Sequence, residues 1–268
     1  VTKYNSYLNF DKTLVIGISQ SGAGEDIRSY LEMARKNGAL TLAITNNLDS
    51  ICAKAAEFNF YLNLTKEEAL AATKTFISQM YVALMLVKEL SDDKKVALSL
   101  DSLDEKVQEI LSKEDDIKEV ARNCTDFIDC YLLSRGINYV SSLEGALKIQ
   151  ETTFIKAKAY ASSDFYHGPM AIVDDKQNMF LLAAKGEVED DNHAMYDKIK
   201  SLKANIIAIT NDEYYKDEKN LIKVPDCDEI ISPFLIIIAI QLLVCNISIL
   251  KGIDVDHSRN LNKVTVTR

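Results

Sequence analysis

The sequence contains no tryptophan, three prolines, nine glycines and three histidines among its 268 residues. So little proline and glycine excludes collagen-like chains and the Pro/Gly-rich low-complexity class. With 47% hydrophobic and 26% charged residues, the composition instead fits one or two globular α/β domains with sizeable cores.

Cysteine is also sparse, and its five positions are scattered and odd in number: Cys52, Cys124, Cys130, Cys227 and Cys245. They form no CxxC pair and no His/Cys ligand spacing, so neither a disulfide framework nor a structural zinc site is expected. No metal or other cofactor is implied. A reducing cytoplasm is the simplest compartment for such a chain.

Positive charge is in deficit, with 31 Lys and Arg against 40 Asp and Glu and a net charge of −9. This balance argues against a nucleic-acid partner, which needs a basic face, but it allows an anionic substrate in a locally positive pocket. The one long apolar run, residues 234–250, carries Gln241, Asn246 and Ser248 and is at the lower length limit for a membrane span. We expect a buried core or interface helix there and no membrane partner. No signal peptide opens the sequence.

The chain alternates between short β-branched runs and helical patterns. The first half predicts strands at 13–18, 40–45 and 58–62. It also predicts a helix at 25–36, a short helix that follows the turn at 46–50 and ends at residue 56, and a long helix at 67–90. The second half predicts strands at 137–141, 178–183, 205–210 and 221–224 and an apolar helix at 233–251. Strand, helix and strand in this order predict parallel sheets with right-handed crossovers.

The sequence predicts two tandem units, because NIIAITN in the second half is similar to LTLAITN in the first. We expect a first domain at 1–92, a helical link at 93–128 with helices near 102–113 and 116–126, a second domain at 129–252 and a tail at 253–268.

The loop SQSGAG, residues 19–24, lies between a predicted strand and a predicted helix. Unpaired N–H groups and the helix dipole favour an anion there, and Ser19, Gln20 and Ser21 add side-chain donors. The loop lacks the Gly-Lys-Ser/Thr of a nucleotide P-loop, and no GxGxxG is present. An ordinary Gly/Ser turn is the alternative. Thr73, near the start of the next long helix, could offer a hydroxyl and an N–H to the same anion, or could simply begin a solvated helix.

A second cluster lies between residues 143 and 170. Glu144, Lys148 and Glu151 follow at i, i+4 and i+7, within roughly 60° of one another on a helix that turns about 100° per residue. Two carboxylates beside an ammonium supply a possible acid, a possible base and a cation. His167 stands in a His-Gly-Pro turn that presents its imidazole. A solvated helix face and an ordinary loop histidine are the alternatives.

These motifs, in this order, resemble the sugar isomerase (SIS) domain family. The segments are ISQSGAGEDI, AATKTFISQ, LEGALKIQE with HGP, and KGIDVDHSRNLNKVTVT. The likeness spans nearly the whole chain. Within the family, the chain resembles the isomerase half of glucosamine-6-phosphate synthases and the glutaminase-lacking phosphosugar isomerases, deaminases and fructosamine deglycases. It implies an α/β fold of two tandem SIS domains, each a three-layer αβα sandwich with a parallel sheet, and a homodimer with shared active sites.

The resemblance also implies roles. Ser19, Gln20, Ser21, Gly24 and Thr73 are expected to hold a sugar phosphate. Glu151 is expected to move a proton between C1 and C2, with Glu144 and Lys148 in support. His167 is expected to assist ring opening from the partner subunit, and Lys263 to form an imine with the open-chain carbonyl.

Three departures qualify the resemblance. A glutaminase is missing, and so are an earlier strand and a Gly-Thr-Ser loop that family members place before residue 1, so we expect an N-terminally incomplete first domain. Gly24 stands where a Ser or Thr is common. The expected function is a phosphosugar isomerase-type enzyme acting on an amino-hexose or fructosamine 6-phosphate, with isomerisation coupled to deamination, deglycation or aminotransfer. A non-catalytic sugar-phosphate-binding regulatory module is the alternative.

Overall fold

The computed structural model describes residues 8–91 and 93–260. These residues fall into two compact units, one of residues 8–86 with 259–260 and one of residues 87–258. The helices expected to link the two halves therefore lie within the second unit.

The first unit contains a parallel sheet of three strands in the order β1-β2-β3: β1 (Leu14–Ile18), β2 (Leu40–Thr45) and β3 (Phe58–Tyr61). Its helices are α1 (Glu25–Lys36), α2 (Ile51–Ala55) and the beginning of α3 (Lys74–Leu90). Leu31 of α1 and Cys52 of α2 pack on Ala43 of β2, so both helices cover one face of the sheet. On the opposite face Leu14, Ile16 and Ile18 are 41–46% exposed. The described part of the first unit therefore has two layers, one of helices and one of strands.

The second unit contains a parallel sheet of five strands in the order β5-β4-β6-β7-β8. The strands are β4 (Asp129–Ser134), β5 (Lys156–Ala161), β6 (Asn178–Ala183), β7 (Asn205–Thr210) and β8 (Asn220–Lys223). The helices are α4 (Lys94–Asp101), α5 (Leu103–Leu111), α6 (Glu114–Arg122), α7 (Tyr139–Thr153), α8 (Ser162–Phe165), α9 (Glu189–Ser201) and α10 (Ser232–Leu250). Strand order reverses between β4 and β6, which is where open α/β sheets leave a crevice at the carboxyl ends of their strands.

Helices cover both faces of the second sheet. Successive residues of β4 point to opposite faces. On one face, Leu132 packs tightly against Gly145 of α7. A Cβ added to Gly145 would lie 2.9 Å from Cδ2 of Leu132 and 3.0 Å from Cδ1 of Ile240 in α10. Leu133 packs on the other side in a cluster with Phe165 and Met195. The prediction of tandem α/β units with parallel sheets flanked by helices is confirmed.

The apolar run forms the core helix α10, which begins at Ser232 and ends at Leu250. Among the described residues, the segment Glu229–Leu250 is long and apolar enough to cross a membrane, but 78% of its most apolar 18-residue window is buried in the protein. Burial on α6 and α7 accounts for its apolar character.

One predicted strand is wrong. Residues 137–141 form a 3-10 turn (Gly136–Asn138) and the first residues of α7 rather than a strand. The strand that enters this helix is β4, which ends at Ser134, and Gly136 has a φ of +63° that breaks the extended chain. Ile137 and Val140 suggested a strand because they are β-branched, but they lie exposed beside the helix start.

The edge strand β5 was not predicted at all. Its sequence, KAKAYA, alternates lysine with alanine and lacks the β-branched residues that indicate a strand. Lysines on an edge strand discourage pairing with another sheet. The same lysines that kept the sequence pattern from indicating a strand therefore suit its position at the edge.

Candidate active site

The loop of residues 19–24 joins the carboxyl end of β1 to the first turn of α1. Backbone hydrogen bonds fix it to β2, with Ser19 N donating to Ile44 O (3.0 Å) and Asn46 N donating to Gln20 O (2.9 Å). Gly24 is the N-cap residue of α1 and makes no side-chain cap hydrogen bond. The loop thus presents Ser19, Gln20 and Ser21 beside the amino end of α1, whose N-cap residue has no side chain to offer. Asp26 in the first turn accepts the N–H of Ile27 at 2.9 Å, which leaves the N–H groups nearer the loop for an oxyanion.

Gly22 gives this loop its shape. Its φ is +65°, and a Cβ at this position would lie 2.0 Å from Oγ of Ser50 and 3.0 Å from Oγ1 of Thr45. Ser50 in turn caps α2 by accepting the N–H of Ala53. A side chain at position 22 therefore cannot be accommodated without moving the loop or the cap.

Thr73 lies immediately before α3, and the predicted start of this helix at residue 67 is wrong. The carboxylate of Glu67, a residue 7% exposed, accepts Thr73 N at 2.9 Å, Thr75 N at 3.3 Å and Thr75 Oγ1 at 2.8 Å. Residues 67–73 thus form a loop that places an internal anion at the amino end of α3. The N–H of Thr73 is taken by Glu67, so Thr73 can offer only its hydroxyl to a substrate.

The predicted acid–base cluster is buried on α7. Nζ of Lys148 lies 2.5 Å from Oε2 of Glu151 and 3.5 Å from Oε1 of Glu144. The side chains of Lys148, Glu144 and Glu151 are 3%, 10% and 19% exposed. A solvated helix face is therefore excluded for these three residues. One buried ammonium holds two carboxylates, and Glu151 is the more accessible of the two.

His167 lies in a separate place on the second unit. Its N–H donates to Asp164 O (3.1 Å), and Gly168, with a φ of +144°, makes the turn into Pro169. His167 lines a cavity of about 270 Å³, together with residues that include Arg135, Ser162 and Tyr166. None of the charged residues of the α7 cluster lines this cavity, so within one chain the structure does not bring His167 to Glu151.

Lys263 lies outside the described residues, but the tail that leads to it is described through Asn260. Oγ of Ser258 donates to the backbone carbonyl of Glu151. Nothing in the sequence pattern indicated this contact, because the two residues are 107 positions apart.

The second unit contains a counterpart of the loop at 19–24. Strand β6, the loop after it and α9 repeat the order of β1, its loop and α1. Here, however, a carboxylate oxygen of Glu229 accepts the N–H of Glu187 at 2.9 Å, and a Cβ on Gly186 would lie 2.1 Å from that oxygen. The chain's own anion fills this loop, whereas no such carboxylate contact with the loop at 19–24 is found among the described residues.

Among the described residues, the cysteines form no disulfide and the possible metal ligands form no cluster. All five cysteines are free thiols. Burial raises the pKa of Cys124 and of Cys227 to about 12, with Asp226 and Asp228 adding to the effect at Cys227. Among residues 8–91 and 93–260, no group of three or more His, Cys, Asp or Glu side chains is placed to hold a metal ion.

Comparison with known proteins identifies the family. The model of the SIS domain matches residues 5–89 and residues 129–250, one segment for each sheet. The chain belongs to the SIS domain family. The resemblance of its motifs to this family is thereby confirmed, and so is the presence of the SIS domain in two segments of the chain.

Relatives of this SIS chain include glutamine–fructose-6-phosphate aminotransferases (isomerizing). The protein from Thermococcus kodakarensis is 34% identical over 267 residues, and that from Methanothermobacter thermautotrophicus is 34% identical over 269 residues. The alignments cover 96% and 98% of this chain but 44% and 45% of the relatives. The SIS chain therefore spans less than half the length of these proteins.

Solved structures show the same SIS fold. The C-terminal domain of glucosamine-fructose-6-phosphate aminotransferase from Francisella tularensis superposes with a TM-score of 0.86 at 25% identity, covering 96% of this chain and 76% of that one. Glucosamine-6-phosphate deaminase from Thermotoga maritima superposes with a TM-score of 0.74 at 21% identity, covering 95% and 75%. The second likeness concerns the fold alone.

Proposed function

We propose that the chain is a phosphosugar isomerase-type enzyme. Its substrate is an amino-hexose 6-phosphate or a fructosamine 6-phosphate, and isomerisation is coupled to deamination, deglycation or aminotransfer. The observation that carries the proposal is the buried cluster of Glu144, Lys148 and Glu151 on α7.

Burial makes this cluster expensive for folding. Lysine is almost never fully buried unless paired, and removing two carboxylates and an ammonium from water costs more than their mutual attraction commonly returns. A cluster with this cost and one partly accessible carboxylate is typical of a functional site rather than of a stabilising core. It supports proton transfer by Glu151, because abstraction next to a carbonyl needs a positioned carboxylate.

The loop at 19–24 supports a phosphate-bearing substrate. Its hydroxyl and amide side chains lie at the amino end of α1, a 12-residue helix whose N-cap residue is Gly24. Ser19, Gln20, Ser21 and the backbone at Gly24 hold the phosphate in this proposal, together with the hydroxyl of Thr73. The likeness to proteins named as sugar-phosphate aminotransferases points to the same class of ligand.

The roles of the remaining residues follow from the chemistry of an aldose–ketose shift. Glu151 removes a proton from one of C1 and C2 and returns it to the other. Lys148 balances one of the two carboxylate charges while this happens. The amine of Lys263 adds to the open-chain carbonyl with loss of water, and the resulting imine withdraws electrons from the carbon that loses its proton. His167 assists ring opening from the partner subunit of a homodimer.

The proposal is tested by incubating the purified protein with a panel of hexosamine 6-phosphates and fructosamine 6-phosphates. Released ammonia or amine and the ketose or aldose phosphate are measured, with Lys263→Ala in parallel and Gln150→Ala, an exposed neighbour of Glu151, as the control. We expect turnover of one substrate that Lys263→Ala abolishes and Gln150→Ala retains. If the protein binds sugar phosphates but turns over no panel member, the proposed enzyme is contradicted and a non-catalytic ligand-binding module is favoured.

A further inference from the structure

The chain beyond α10 returns to the end of the helix that carries the proposed base. It turns at Gly252, where φ is +67°, and Ile253 N donates to Ser248 O at 2.9 Å. Six residues after Gly252, Oγ of Ser258 donates to the backbone carbonyl of Glu151 at 2.5 Å. The tail is thus hydrogen-bonded to the residue whose carboxylate forms the ion pair with Lys148.

The carbonyl at this position needs a partner. The last four carbonyls of a helix lack intrahelical donors, and α7 stops at Phe154, which adopts the left-handed conformation with a φ of 60°. Oγ of Ser248, in α10, donates to the carbonyl of Thr152 at 2.9 Å. The hydroxyl of Ser258 donates to the adjacent carbonyl, that of Glu151. Two hydroxyls from different parts of the chain therefore fix the final turn of α7.

We propose that Ser258 is a positioning residue for the proton transfer, a conclusion that rests on the proposed function. Its hydroxyl ties the segment leading to Lys263 to the backbone of Glu151. Lys263 comes five positions after Ser258 in the sequence, and five residues of fully extended chain span at most about 18 Å. The tether therefore limits the distance between the imine-forming amine and the base, and it orients the turn of α7 that holds the base.

The local environment of Ser258 separates this role from a structural one. Ser258 is half-buried, and its neighbours His257 and Arg259 are exposed. Replacing Ser258 by alanine removes one hydroxyl from a surface segment and leaves the apolar core unchanged. Ser248, which is fully buried, caps the neighbouring carbonyl of Thr152 and has the structural role at this end of α7.

The test compares Ser258→Ala and Ser258→Thr with the wild type. Ser201→Ala is the matched control, because Ser201 also donates its hydroxyl to a backbone carbonyl, that of Lys198, at the exposed end of α9. Three quantities are measured: kcat and KM for the substrate found with the panel, the rate at which borohydride traps the Lys263 imine as a secondary amine, and the rate of trypsin cleavage after Arg259.

We expect Ser258→Ala to lower kcat and the trapping rate about 10- to 100-fold, since small misplacements of reacting groups have effects of this size. KM and the thermal midpoint should stay close to the wild-type values, and trypsin should cleave the tail faster. Ser258→Thr should restore kcat and the trapping rate because it restores the hydroxyl. Ser201→Ala should behave as the wild type in every assay.

Each outcome decides. Unchanged trypsin cleavage in Ser258→Ala would overturn the tether, and faster cleavage with unchanged kcat and trapping would overturn its positioning role. A wild type that turns over no panel member would overturn the proposed function, and the positioning role with it, while the cleavage rates would still report whether the tether exists.

Discussion

The ammonium of Lys148 lies 2.5 Å from a carboxylate oxygen of Glu151 and is 97% withdrawn from solvent, with a side-chain exposure of 3%. It also faces Glu144 at 3.5 Å, so one buried cation serves two carboxylates. Removing a partner from such a group leaves charge in a poorly solvated place, which costs far more than the pair contributes.

Lys148→Met should therefore lower the free energy of unfolding by about 3–5 kcal/mol, because two buried carboxylates lose their only cation within the cluster. Urea denaturation measures the effect. Lys198→Met, at an exposed position of α9, is the control and should change stability little. A loss below about 1 kcal/mol for Lys148→Met, as for exposed ion pairs, would mean that the cluster is hydrated.

Glu151→Gln should bind substrate and lose turnover. The amide keeps the size and shape of the side chain but cannot accept the proton, so kcat should fall about 10²- to 10⁴-fold. Calorimetric titration with the sugar phosphate should give an affinity close to that of the wild type. Gln150→Ala, on the exposed face of the same turn, controls for disturbance of α7. Full turnover by Glu151→Gln would remove Glu151 from the role of base.

Much of the fold followed from local pattern. The predicted limits of α1, β2, β6 and β7 agree with the structure at every residue. Helix α1 lies between Gly24 and Asn37, β2 and β7 each end before an asparagine, and the apolar runs of the three strands are unbroken. The loop at 19–24 and the spacing on α7 were equally local, so the sequence located both.

The remaining features depend on distant partners. No local pattern shows that Glu67 reaches forward to cap α3 or that Ser258 contacts Glu151 across 107 positions. The burial of Lys148 was also unpredictable, since an i, i+4 Glu–Lys pair is more often a solvated face. Tertiary packing decides all three, and these are the places where the polar groups of the candidate site are fixed.

Glu67→Ala should destabilise the first unit by about 1–3 kcal/mol, because it leaves the N–H groups of Thr73 and Thr75 without their buried acceptor. Its neighbour provides a matched control. Glu68, with a side chain 76% exposed and paired with the equally exposed Lys66 at 3.2 Å, should tolerate alanine with little change. Equal effects of the two substitutions on the thermal midpoint would contradict the capping role of Glu67.

Gly22→Ala should weaken sugar-phosphate binding and stability together. The left-handed backbone costs a non-glycine residue about 1–2 kcal/mol, and the added Cβ also meets Ser50 at 2.0 Å. Gly38→Ala separates the two causes, since Gly38 has a φ of +91° but no atom within 4 Å of the added Cβ. It should lose stability and keep its affinity for the sugar phosphate. Calorimetric titration measures both variants, and retained affinity in Gly22→Ala would exclude this loop as the phosphate site.

The thiols of Cys124 and Cys227 should resist alkylation in the folded protein. Burial raises the pKa of each to about 12, so the thiolate is scarcer than in a free cysteine of pKa about 8.5. Iodoacetamide reacts with the thiolate, so native labelling at pH 7 should be slower by a factor on the order of 10³.

The sign of the pH dependence follows from the same shift. Because the folded-state pKa lies above the unfolded value, these thiols favour folding below pH 8.5 or so, and that contribution declines as the pH rises towards 12. Labelling should accelerate about tenfold per pH unit above neutrality and reach the free-cysteine rate in urea. Mass spectrometry of the two cysteine peptides measures both rates. Rapid native labelling of Cys227 at pH 7 would show that its surroundings stabilise the thiolate and would make it a reactive group.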